Sequence, residues 1–198
     1  MITTIWTRRP TCGERGLTFR QTEKWSSNPQ KTMPEIREIK ASERHFLDEI
    51  LREAAYFPDP SKKQEKLTKL HPVLSSYFEN FGREGEIALV VETAEGLGGA
   101  AWTRRFSNEV SSHGYVDDET PELGIAIKEE WGNRGTGTRL ITRIIGELSA
   151  AGFNRVSFSV DKRNPVVRLY HRLGFHVHSE GSNFDTMVKN IEPPVIAE

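Results

Sequence analysis

Gly135-Thr136-Gly137 closes a short polar turn between an apolar run, Leu123 to Ile127, and a segment in which Leu140, Ile141, Ile144, Ile145 and Leu148 recur at helical spacing. Strand, glycine turn and helix N-terminus together make a seat for phosphate. The first turn of a helix carries free N–H groups and the positive end of its dipole. Glycine removes the side chain that would hold the phosphate off. The class of phosphate ligand can be narrowed. A P-loop needs Gly-Lys-Ser/Thr, which Thr138-Arg139 does not supply. A dinucleotide fingerprint needs a third glycine where Leu140 stands. A Gly-x-Gly turn also joins strand to helix without any ligand, so the turn alone leaves its role open.

A second stretch, residues 156–175, adds to it. Val156, Phe158 and Val160 alternate with serines in strand fashion. Asn164 is placed to cap a helix whose first residue is Pro165. Val166, Leu169, Tyr170 and Leu173 share one face of that helix, Gly174 stops it, and Phe175 opens the next strand.

Asn164 through Phe175 resembles the Asn…Leu-Tyr-x-x-Leu-Gly-Phe signature of the GCN5-related N-acetyltransferases (the GNAT superfamily), and the earlier turn is similar to that family's Gln/Arg-x-x-Gly-x-Gly/Ala pyrophosphate motif. The two lie in the family's order, and the resemblance spans roughly Pro34 to Ile191. It departs at Gly132, where the family usually has Gln or Arg. The resemblance implies acetyl-CoA as co-substrate, with its pyrophosphate on Gly132, Asn133, Arg134, Gly135, Thr136, Gly137 and Thr138. It implies that Asn164 bonds the pantetheine arm, and that the backbone near Ala126 and Ile127 bonds the arm or the thioester carbonyl.

Acetyl transfer to an amine needs the neutral amine, yet an alkylamine of pKa about 10 is mostly protonated at pH 7. A carboxylate near the acceptor can remove that proton, directly or through water. Glu122, which opens the strand Glu-Leu-Gly-Ile-Ala-Ile, is the candidate base, and a matching strand glutamate serves some family members. Tyr170 matches the tyrosine that often protonates the departing thiolate in the family, although its place on the apolar stripe also suits ordinary core. Asp117, Asp118, Glu119 and Glu122 cluster before that strand; if they line the acceptor cleft they favour a cationic amine. Trp102 and Tyr115 are candidate apolar walls. His176 and His178 alternate on a strand without an evident third ligand, so no metal is expected.

The whole chain has 198 residues and a net charge of −1, which suits one soluble enzyme domain and does not suit a general nucleic-acid binder. Cys12 is the single cysteine, so neither an intrachain disulfide nor a cysteine metal cluster is expected. No apolar run approaches the length of a membrane span, and a cytoplasmic location is the default expectation. Residues 1–33 carry six Lys/Arg against Glu14 and Glu23 and lack periodicity. They read as a disordered extension or an upstream extension of the reading frame, with a mitochondrial presequence as the minor alternative. A complete domain starts beside Met33 and runs over residues 34–192, followed by a short tail.

The positioning elements follow in order. Ile36–Ile39 is a strand, and Ser42 caps a helix carrying Phe46, Leu47, Ile50, Leu51 and Ala54 inward. After the Asp59-Pro60 turn, a second helical region carries Leu67, Leu70, Leu74, Tyr77 and Phe78, with Pro72 inside it and Gly82 ending it. Glu86–Glu92 and Gly98–Phe106 make a hairpin, and a polar loop runs from Ser107 to Pro121. The two motif regions come next, then strands near Phe175–Ser179 and Phe184–Lys189. The order predicts an α/β (α+β mixed) GNAT fold: a mixed twisted sheet of about six to seven strands flanked by four helices. The expected function is acetyl transfer from acetyl-CoA to a primary amine, small molecule or peptide, with a homodimer left open. Two other classes remain: a non-catalytic acyl-CoA-binding module, and a toxin-type transferase acting on aminoacyl-tRNA.

Overall fold

A computed structural model describes residues 33–54, 78, 81–109 and 112–193. Seven strands form one sheet: β1 (Glu35–Glu38), β2 (Ala88–Thr93), β3 (Gly96–Arg104), β4 (Glu122–Ile127), β5 (Arg155–Asp161), β6 (His176–Glu180) and β7 (Phe184–Asn190). Their order in space is β1-β2-β3-β4-β5-β7-β6. Every neighbouring pair is antiparallel except β4 and β5, which are parallel. Three α-helices are described: α1 (His45–Ala54), α2 (Thr136–Ala150) and α3 (Val167–Arg172). The expected second helical region lies outside the described residues apart from Phe78, as do the extension before Met33 and the tail from residue 194.

The sheet separates two apolar clusters, and strand alternation assigns each side chain to one of them. One face carries Leu89, Val91, Ala101, Leu123, Ile125, Ile127, Val156, Phe158, Val160 and Met187. It is covered by Leu140, Ile141, Ile144 and Leu148 of α2 and by Tyr170 of α3. The opposite face carries Ala88, Val90, Ala100, Trp102 and Ala126 under Phe46, Leu47, Ile50 and Leu51 of α1. Strand β4 is buried along its whole length. That explains its unbroken apolar run, since a central strand covered on both faces does not alternate.

Several boundaries differ from the sequence reading, each for a local reason. The first helix starts at His45 rather than at Ser42, because residues 41–43 form a 3-10 turn. There the Glu43 carboxylate accepts from the Lys40 N–H at 3.0 Å and from Arg37 at 2.8 Å. Helix α3 starts at Val167 rather than at Pro165, after a turn in which Asn164 Oδ1 accepts from the Val166 N–H at 3.0 Å. Asn164 therefore closes a side-chain turn two residues before the helix's own N-cap, Val166, rather than capping the helix itself. The hairpin strands sit about two residues from their expected places, at Ala88–Thr93 and Gly96–Arg104.

Candidate active site

Strands β4 and β5 touch at a single ladder pair, Glu122 with Ser157, and diverge beyond it. Parallel strands that part in this way leave a gap toward their carboxyl ends, where ligands of open α/β sheets bind. The hydrogen-bond register shows what faces the gap. Lys128 N donates to Gly98 O at 2.9 Å, and Ser157 N donates to Pro121 O at 3.0 Å. In an antiparallel ladder the backbone groups alternate between the two neighbours. Even-numbered residues of β4 thus spend their N–H and C=O on β3, and Leu123, Ile125 and Ile127 direct theirs at β5. Ile127, not Ala126, presents its backbone to the gap, joined by Ile125 and Leu123. The parity carries from Lys128, a step the sequence alone does not supply.

The expected phosphate turn stands at the mouth of this gap. After Ile127 comes a 3-10 turn, Glu129–Trp131, then Gly132 in extended backbone. Asn133 has φ 56° and Gly135 φ 76°. The left-handed residue at 135 suits glycine, and nothing approaches the position where its Cβ would lie. The first helical bond of this end runs from Arg139 N to Gly135 O at 3.0 Å, so the N–H groups of Thr136, Gly137 and Thr138 precede the ladder. Arg134 lies over the Trp131 ring at 5.4 Å, which places a cation beside the turn. Trp131 in turn packs where a Cβ on Gly98 would stand, fixing the turn to β3.

On the helical side, Tyr170 is fully buried, with its ring 4.3 Å from Phe158 and 6.1 Å from Phe175. Asn164 is buried at the exit of β5, held by its own backbone N–H to Asp161 O at 2.8 Å. Asp161 also binds Arg163 through its carboxylate at 2.6 Å, closing the β5 exit.

Glu122 lies at the closed end of the gap and is only 2% exposed. By parity it shares the face of Gly124 and Ala126, opposite the face of Tyr170. Arg104 stands directly across the ladder from it. A short loop roofs it: the Ser112 hydroxyl donates to Glu122 Oε2, and Gly114 N donates to Ser112 Oγ at 3.2 Å. A Cβ on Gly114 would fall 2.5–2.8 Å from the Glu122 carboxyl atoms, so a larger residue there would displace the carboxylate. Thr186 of β7 pins the roof by donating to His113 O at 2.8 Å, and His113 stacks on Phe184 at 5.8 Å. Burial pushes the His113 imidazole below its usual pKa.

The acidic run is dispersed. Asp117 pairs with Arg155 at 2.6 Å and accepts from Thr120, while Asp118 accepts from the Tyr115 hydroxyl at 2.5 Å. Tyr115 is held by that bond, which raises its phenol to about 12. Glu119 is exposed, and of the four acids Glu122 alone is buried. Trp102 is buried over Gly124 on the Glu122 face. His176 and His178 are exposed on β6, with a bulge between Val177 and Ser179. Among the described residues no group of three potential metal ligands occurs. No helix there is long and apolar enough to cross a membrane.

Residues 44–175 match the model of the acetyltransferase (GNAT) family, well over half of the chain. The chain belongs to the GNAT acetyltransferase family. Solved structures share the GNAT fold at low identity. PaiA N-acetyltransferase of Thermoplasma acidophilum, in complex with coenzyme A, is 19% identical with TM-score 0.56, covering 80% of this chain and 99% of that one. The ribosomal-protein-S18-alanine N-acetyltransferase of Escherichia coli is 17% identical with TM-score 0.58, covering 82% and 96%. A phosphinothricin acetyltransferase of Sinorhizobium meliloti, in complex with acetyl-CoA, is 21% identical with TM-score 0.55, covering 83% and 95%. No curated protein sequence matches the chain. Ser112, Gly114 and Ser157 carried no signal in the sequence, since no spacing rule links three loop and strand positions to a distant glutamate.

Proposed function

We propose that this GNAT protein is a cytoplasmic N-acetyltransferase that passes the acetyl group of acetyl-CoA to a primary amine in a ternary complex. The observation that carries the reading is the parting of β4 from β5 beyond Glu122–Ser157, with a glycine turn opening a helix at one end and a buried carboxylate at the other. The pyrophosphate lies on the N–H groups of residues 133–138 and on Arg134, the Gly132 N–H being spent on Glu129 O at 3.0 Å, and the pantetheine arm runs down the gap. There its amides meet the backbone of Ile127 and Ile125, much as an added strand would, and Asn164 flanks it. The six-residue β4 is roughly 20 Å long at about 3.3 Å per residue. That is room to lay out an arm and leave the thioester near the closed end.

Glu122 and Tyr170 lie on opposite faces of the sheet, which suits a transfer with two proton events. The amine approaches from the Glu122 face and loses a proton there, then its lone pair attacks the thioester carbon. The C–S bond breaks, and the thiolate leaves toward the α3 face, where the Tyr170 hydroxyl protonates it and regains a proton from solvent. The nitrogen yields its second proton to solvent. Starting from an ammonium, one proton is released overall. The near-neutral charge and the dispersed acidic run give no support to a nucleic-acid acceptor.

The test is a screen of acetyl-CoA with primary amines, amino acids and peptide N-termini, followed by free-thiol release. Amine-dependent thiol supports the reading. Acetyl-CoA binding without thiol release from any acceptor would assign the chain as a binding module instead.

A further inference from the structure

Ser157 is fully buried, and its hydroxyl has no hydrogen-bond partner among the described residues. A buried hydroxyl without a partner costs stability, and such groups in folded proteins call for an explanation. Its position supplies one. Ser157 is the ladder partner of Glu122 and lies at the point where β4 and β5 begin to part. Val156, Phe158 and Val160 point to the face of Tyr170, so Ser157 points to the face of Glu122. On that face the Glu122 carboxylate is roofed by the Ser112 hydroxyl and Gly114, and the Ser112 side chain is only partly buried. The buried carboxylate thus connects to the surface through Ser112.

We infer that Ser157 and Ser112 form the acceptor subsite. Ser157 Oγ accepts one N–H of the incoming primary amine, and Ser112 carries the amine's proton to Glu122. This rests on the acetyl-transfer reading. A primary ammonium has three N–H donors and no acceptor. It needs oxygens arranged around it, and these two hydroxyls and the carboxylate supply three beside the Glu122–Ser157 pair. In the proton step the ammonium N–H passes to Ser112 Oγ while the Ser112 hydroxyl proton passes to Glu122 Oε2. The amine is left neutral and Ser112 unchanged. Glu122 then releases the proton to solvent. A tertiary ammonium offers one N–H and cannot use both hydroxyls, whereas a primary ammonium fills both and keeps a third N–H for another acceptor.

The experiment uses the full chain, acetyl-CoA and four probes: an alkyl monoamine, a diamine, an amino-acid amide and a peptide N-terminus. With whichever probes wild type acetylates, Ser157→Ala should raise KM for the amine about tenfold, as for loss of one hydrogen bond to a charged group. KM for acetyl-CoA should stay constant. Tm should hold or rise, because the substitution removes an unpaired buried hydroxyl. Ser112→Ala should lower kcat about tenfold near neutral pH, with the deficit closing as pH approaches the amine's own pKa of about 10. Ser112→Thr keeps a hydroxyl and should recover most of the rate. Combined with Glu122→Gln, Ser112→Ala should add little further loss, as expected for groups acting in one relay. An unchanged amine KM in Ser157→Ala, or a pH-independent deficit in Ser112→Ala that adds fully to Glu122→Gln, overturns the subsite while leaving acetyl transfer standing. No turnover of any probe by wild type overturns both.

Discussion

The two ends of the β4–β5 gap are built in opposite ways. The proposed phosphate end comes from one contiguous stretch, residues 128–139, whose shape follows from a 3-10 turn, two left-handed residues and the start of α2. Its proposed donors are the backbone N–H groups of Thr136, Gly137 and Thr138, which precede the helical ladder. The proposed amine end is assembled from Ser112, Gly114, Glu122, Ser157 and Thr186, which meet only through the sheet register and the roof loop. Its working group is a side chain almost wholly buried. A common co-substrate needs a general seat that backbone provides. A particular acceptor needs side chains, and those are gathered from afar.

The contrast can be broken at its strongest point by Gly135→Asp. A carboxylate at the left-handed position meets the pyrophosphate, and acetyl-CoA binding in the micromolar range, on the order of −8 kcal/mol, should vanish in calorimetry. Retained affinity would move the phosphate seat elsewhere. The next effect is smaller. Tyr170→Phe keeps the ring packing against Phe158 and should lower kcat by about 10²-fold with KM for acetyl-CoA little changed. If the rate holds, Tyr170 is core and solvent protonates the sulfur.

Glu122→Gln should lower the rate about tenfold at neutral pH and recover as rising pH supplies free amine. A loss that is the same at every pH would make Glu122 a structural carboxylate. The smallest effect on turnover is expected from Glu86→Gln, away from the gap. Burial opposes the Glu86 charge, but the Arg83 side chain, the backbone N–H groups of Arg83 and Gly82, and Arg104 outweigh it and hold its carboxyl below the usual range. A depressed folded-state value means full stabilisation above the unfolded pKa of about 4.3, lost as pH falls through the folded value. Glu86→Gln should therefore lower Tm at pH 7, by on the order of 10 °C for about 3 kcal/mol, with the difference from wild type shrinking toward pH 3. Activity per folded molecule should hold. A kcat loss matching that of Glu122→Gln would tie the two carboxylates into one network through Arg104.

Much of this architecture was legible from residues alone. The stripe Leu140, Ile141, Ile144 and Leu148 on α2 and the apolar run Leu123 to Ile127 of β4 follow from local periodicity, and each lies where expected. The phosphate turn was legible for the same reason: glycine, left-handed backbone and helix start are neighbours in the chain. The sheet order, the parting of β4 from β5 and the faces on which Glu122 and Tyr170 stand were not. A one-residue change of register would exchange those faces without altering a single local propensity. The dispersal of Asp117 and Asp118 onto Arg155 and Tyr115, and the gathering of Ser112 and Ser157 around Glu122, belong to the same class. Sequence by itself determined most of the described elements, the core stripes and the glycine turn, because those depend on residues within a few positions of one another. Tertiary structure alone decided which carboxylate is buried, what roofs it and which backbone faces the gap, because these depend on long-range pairing that local spacing does not encode.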